Sequence, residues 1–155
     1  MRKILIIFII LFSYSSVSNA FFISGKNSCE NNVYSYEIGP NVSFADFKVK
    51  VGPVVSFADI RIKLVGDPNQ ADLIFVDEKL LNTSWLDDVN MKVCKKSYKA
   101  NRKIKAGPVV SFADIKVRVG PNVTSPDYKL YYNSALFSVN EAAGLFIAIW
   151  KFNIK

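Results

Sequence analysis

The clearest pattern in the chain is alternation. Phe47, Val49 and Val51 alternate with Lys48 and Lys50; Ile60, Ile62 and Leu64 alternate with Arg61 and Lys63; Ile115, Val117 and Val119 alternate with Lys116 and Arg118. Successive side chains of a strand point to opposite faces, so each run predicts a strand with one face buried and one in water. No stretch beyond residue 20 keeps a helical period, and the expected fold class is all-β. Gly-Pro stands between the runs at 39–40, 52–53, 107–108 and 120–121. Proline fixes φ and lacks an N–H while glycine tolerates turn geometry, so each pair marks a corner.

The same nine residues, GPVVSFADI, occur at 52–60 and 107–115, and a near copy, GPNVSFADF, at 39–47. Anchored on the aspartates Asp46, Asp59 and Asp114, a period of about 13 residues extends through Asp72, Asp88, Asn101 and Asp127, with a three-residue insertion near 79–85. Backwards it reaches Val33; forwards, with further residues inserted, it takes in AGLFIAIW at 143–150. The expectation is a small, closely wound β domain of tandem units over 33–150, each with a short apolar segment such as VVSF, an Ala-Asp step and a main strand. The aspartates are expected to serve structure, accepting hydrogen bonds from nearby backbone N–H groups as in Asx turns. AGLFIAIW, apolar on both faces, is expected to be a strand buried on both sides; a partner patch and a membrane-contact segment are its other readings.

SFADIRIKLV (56–65), QADLIFVD (70–77) and SFADIKVRV (111–119) resemble the tandem Ala-Asp-Leu-x-Val-like units of the septoil-knot domain family. The resemblance implies a small β-repeat fold wound into a deep seven-crossing knot and covering nearly all of the chain after residue 33. It brings no activity, since none is established for that family. The chain departs from the pattern at 79–85 and at Ser125-Pro126-Asp127.

The first residues change the picture of location. Arg2 and Lys3 precede an apolar run from Ile4 to Phe12 and a stretch ending Ser18-Asn19-Ala20. This pattern predicts a signal peptide over 1–20, cleaved after Ala20, and one periplasmic or secreted domain over 21–155. The alternative, a membrane anchor, suits the run less well, because a spanning helix needs roughly 20 apolar residues. In an oxidising compartment Cys29 and Cys94, the only cysteines, could bridge; two unpaired thiols are the other reading.

The formal net charge is +7 and there is no histidine. Histidine-based triads and imidazole metal sites are thereby excluded, and no cofactor is expected. Asp87-Asp88 and Asp77-Glu78 are paired acids that a hydrolase could use, though solvated charge is the commoner role for such pairs. The outward rows are almost entirely positive: Lys48, Lys50, Arg61, Lys63, Lys116 and Arg118, with Lys92, Lys103, Lys105 and Lys129 in weaker units. Packed side by side, such rows would form a basic stripe able to take an anionic glycan, lipopolysaccharide, extracellular DNA or another polyanion. Lysines that merely block edge pairing are the bland counterpart. The expected function is an exported structural or binding module without catalysis. A small secreted effector or inhibitor is the alternative.

Overall fold

The computed structural model describes residues 20–30, 33–96 and 99–154; the expected leader lies outside them except for Ala20. Nine strands follow one another: β1 (Phe21–Lys26), β2 (Tyr34–Gly39), β3 (Phe47–Gly52), β4 (Ile60–Val65), β5 (Leu73–Asp77), β6 (Met91–Lys95), β7 (Arg102–Gly107), β8 (Ile115–Gly120) and β9 (Tyr128–Asn133). All pairings are parallel, and the sheet closes into a barrel in the order β1-β5-β9-β4-β8-β3-β7-β2-β6, with β6 returning to β1. Closure removes every open sheet edge. The three alternating runs are strands β3, β4 and β8, with the β-branched residues inside and the Lys and Arg outside.

Strands adjacent in sequence are never adjacent in the barrel. β3 ends at Gly52, opposite Arg118 of β8, and β4 begins at Ile60, opposite Val117 of the same strand. Residues 53–59 therefore cross β8 on its outer face, where Arg118 Nε donates to the Val55 carbonyl at 3.1 Å. Residues 108–114, leading into β8, cross β3 in the same way, between Lys50 and Val49. The two arms of the chain thus pass over one another reciprocally. Most strands, β5 excepted, pair by their first half with one neighbour and by their second half with the other: Phe47–Lys50 with β7, Val49–Gly52 with β8. This stagger tilts the strands steeply about the barrel axis.

Short strands with seven-residue crossings need firm starting points, and the aspartates supply them. Asp46 N–H donates to the Lys103 carbonyl at 2.8 Å, and Lys103 N–H donates back to Asp46 Oδ2 at 2.8 Å. Asp59 and Lys116, Asp72 and Lys129, Asp114 and Lys48, and Asp127 and Arg61 repeat the arrangement. The expected structural role holds, but the partner is on a neighbouring strand, not in the local turn. In the sixth strand's unit the anchor is Asn90, paired with Phe22, and not Asp88. Each of these residues immediately precedes its strand.

AGLFIAIW is not a strand. Residues Val139–Phe146 form a helix, α1, which continues as a π-helical turn over Ile147–Lys151. Every residue from Ala142 to Ile149 is buried, within the same cluster as Ile23, Val49, Ile62, Phe75 and Val117 from the strands' inner faces. The helix fills the barrel, so from Ala142 to Ile149 it has no polar face. That is why the stretch resembles a strand buried on both sides. Gly144 lets it approach β7: a Cβ there would sit 2.9 Å from the Ala106 Cβ. Ser138 and Glu141 form a capping box at its start, and Lys95 Nζ lies 2.6 Å from Glu141 Oε1.

The 79–85 interruption also has a structural use. Outward-facing Phe22, Ile74 and Val76 form a second apolar cluster, and Trp85, Leu81 and Val89 close over it. Trp85 stands edge-on to both Phe22 and Tyr131, at 5.9 and 6.3 Å. Cys29 and Cys94 are bonded, with Cα atoms 5.4 Å apart. The bridge pins the β1–β2 connection to β6, the strand it crosses.

Candidate polyanion-binding surface

The barrel order determines which basic rows meet. β9, β4, β8, β3 and β7 are consecutive, and their outward residues face one another in register: Lys63 opposite Lys129, Arg61 opposite Arg118, Lys50 opposite Lys116, and Lys48 opposite Lys105. All six candidate residues, Lys48, Lys50, Arg61, Lys63, Lys116 and Arg118, therefore lie in one contiguous sector. Parallel pairing of like charges is unfavourable by about 0.2–1 kcal/mol per pair. Sheet surfaces ordinarily intersperse the two signs; this sector does not.

Few acidic groups pair directly with its side chains. Arg61 Nε lies 3.8 Å from Asp127 Oδ2, and Lys103 pairs with Glu37 at 3.3 Å. Among the described residues, no ion pair joins a carboxylate to Lys48, Lys50, Lys63, Lys105, Lys116, Arg118 or Lys129. The nearby aspartates Asp46, Asp59, Asp72 and Asp114 turn a carboxylate oxygen onto main-chain N–H groups at 2.7–2.8 Å. Lys92 departs from the expectation: it lies outside this sector, on β6, and pairs with Glu78 at 3.2 Å. Burial alone would raise the Glu78 carboxyl, but hydrogen bonds from Lys92 and Lys26 outweigh it and hold the group below its ordinary range.

The crossings carry what the sequence did not disclose. Phe44, Phe57 and Phe112 are 97, 94 and 95% exposed. VVSF is thus not a buried apolar segment. Only the valine two residues before the phenylalanine step is buried (Val42, Val55, Val110, Val123), while Val54 and Val109 are exposed with the phenylalanines. All three phenylalanines have left-handed backbones, with φ of 51, 50 and 49°. Ser125 and Lys99 take the same conformation at the same step before β9 and β7. The turn imposes the geometry; it does not require an aromatic ring. Ser125 in place of Phe was the available signal, because a core position would not accept that exchange.

Phe146 is fully buried, whereas Trp150 is partly exposed. The paired acids do not assemble a site. Asp77 is buried and accepts from Ser134 Oγ at 2.5 Å and Ala135 N–H at 2.7 Å, fixing the turn before α1. Asp87 and Asp88 belong to the covering 3₁₀ segment.

Among the described residues, clefts of two sizes open on the surface. The larger, about 640 Å³, is lined by Lys26, Lys95 and Lys96 together with Glu37 and Glu141, so its charges largely balance. The smaller, about 290 Å³, lies between Phe57, Arg61 and Arg118 with Asp59 and Asp127, so its charges balance as well. Comparisons with protein-family models, with curated proteins and with solved structures return no match for this chain.

Proposed function

We propose that the protein is an exported binding module whose β9–β4–β8–β3–β7 sector holds a polyanionic ligand, such as an acidic glycan or lipopolysaccharide. One observation carries the reading: four like-charged pairs stand in register across neighbouring strands, where electrostatics alone would favour mixed signs. A row of cations along a convex face suits an extended ligand with repeated negative charge. Of the candidate acids, Asp77 fixes the turn before α1 and Glu78 pairs with Lys26 and Lys92, which favours binding over catalysis as the reading.

The reading includes the winding. The thirteen-residue spacing of strand starts, broken only around β6, and the reciprocal crossings support tandem units interlaced as in the septoil-knot domains, with the barrel a knotted chain. Such a chain, stapled at Cys29–Cys94, would present the charged face on a scaffold that resists unfolding outside the cell. The test is binding of fluorescent heparin over a range of NaCl concentrations. Affinity should fall steeply with salt, and exchange of Lys50 and Lys116 for Glu should weaken it further. Affinity indifferent to both salt and exchange would refute the proposal.

A further inference from the structure

Phe44, Phe57 and Phe112 sit at the most exposed points of three crossings, 40–46, 53–59 and 108–114. These crossings lie over β7, β8 and β3, three consecutive strands of the basic sector. Each ring is almost wholly in water, and each is carried by a left-handed backbone that favours glycine or asparagine over an aromatic residue. Neither burial nor backbone preference accounts for phenylalanine at these positions. A large apolar residue that contributes nothing to the core points to something outside the protein that takes it up.

We propose that this sector docks on the surface of an anionic lipid bilayer, with the three phenylalanines entering the headgroup–acyl boundary while the lysines and arginines face lipid phosphates. The inference rests on the polyanion reading and narrows its ligand to a lipid surface. Charge complementarity selects the occupant: Lys50, Lys116 and Arg118 lie among the phenylalanine crossings, giving separated apolar tips on cationic ground. Single aromatic tips with flanking cations match the interfacial mode, in which apolar insertion and attraction to anionic headgroups act together. The tips do not line a common apolar groove, as a folded protein partner or a helix would need. A soluble anionic polymer would use the cations and leave the rings in water.

The test compares wild type with a triple variant, Phe44→Ser, Phe57→Ser and Phe112→Ser, which copies the residue already present at 125. All proteins begin at Phe21, the first residue of β1, so the apolar run Ile4–Phe12 cannot carry any arm to the vesicles. Probes are phosphatidylglycerol–phosphatidylcholine vesicles, pure phosphatidylcholine vesicles and heparin. The proposal expects wild type to sediment with the anionic vesicles, the triple variant to lose at least about tenfold in that partitioning, and both to bind heparin alike with the same salt dependence. Equal vesicle partitioning by the two proteins overturns the insertion role, as does wild type binding heparin but not anionic vesicles; in both cases the basic-sector reading survives. Wild type binding neither probe overturns both readings. Partitioning equally into neutral vesicles overturns the requirement for anionic lipid.

Discussion

Lys48 and Asp114, 66 residues apart in sequence, hold each other by two hydrogen bonds. The Asp114 N–H donates to the Lys48 carbonyl at 2.9 Å, and the Lys48 N–H donates to Asp114 Oδ2 at 2.7 Å. The carboxylate stands where a further strand residue would have placed a carbonyl, so the ladder begins one step before the strand does. This is the work of the Ala-Asp step. It predicts that Asp114→Ala leaves a main-chain donor without its partner and destabilises the fold by about 1–2 kcal/mol. Asp114→Asn, which keeps an acceptor oxygen, should lose less than half as much. Thermal unfolding of the two variants beside wild type measures the difference; equal losses would remove the clamp from the account.

The helix inside the barrel gives a sharper structural prediction. Gly144→Ala places a methyl group 2.9 Å from the Ala106 Cβ, in a cluster with no room to yield. Overpacking of this kind destabilises by about 1–3 kcal/mol. On an exposed helix the same exchange would be favourable. A lowered melting temperature therefore reports the packed plug, and a raised one would show that the helix does not fill the lumen.

Strand β3 shows how much of the fold was legible. Alternation of Phe47, Val49 and Val51 with Lys48 and Lys50 identified both the strand and its buried face, and Gly-Pro its end. The partners were not legible, because β3 pairs with β7 and β8, whose residues are local neighbours of nothing in β3's own sequence. AGLFIAIW misled for a physical reason: a helix enclosed on all sides carries no polar stripe by which to be recognised. The basic sector was visible as a row of signs. Its aromatic tips were hidden because the sequence SFAD does not say that its phenylalanine is turned outward by a left-handed backbone.

The disulfide fixes the β1–β2 connection where it crosses β6. Cross-linking residues separated by 65 positions should stabilise by about 4 kcal/mol, mainly through the unfolded chain. Cys29→Ser should therefore lower the melting temperature strongly and equally with or without reductant, whereas wild type should be reductant-sensitive. No effect of reductant on wild type would contradict the bridge.

Alkaline titration probes one buried and one partly buried phenol, Tyr36 and Tyr132. Burial, more than the nearby Tyr34, raises Tyr36 far above its ordinary value, and its hydroxyl donates to the Ile154 carbonyl at 3.1 Å. Burial, reinforced by Asp77 and Glu141, also raises Tyr132, which donates to the Phe137 and Ser134 carbonyls. Both groups keep their proton more tightly when folded than unfolded. Their contribution is thus complete below about pH 10, the unfolded value, and is lost as pH rises toward the folded values. Tyr36→Phe should flatten the fall in melting temperature above pH 10; an unchanged slope would rule Tyr36 out as its source.

The in-register cations imply a trade between stability and binding. Lys116→Glu sets a carboxylate opposite Lys50, replacing repulsion by attraction. The variant should melt higher than wild type in low salt, with a gain of about 0.2–1 kcal/mol that fades as salt is added. The same charge pattern decides the central claim, which is that the sector exists to bind negative charge. The most direct measurement is heparin affinity across NaCl concentrations for wild type and for Lys50→Glu combined with Lys116→Glu. The account predicts a steep salt slope for wild type, with weaker binding and a shallower slope for the variant. Equal affinities with equal slopes, in a variant that still folds, would contradict it.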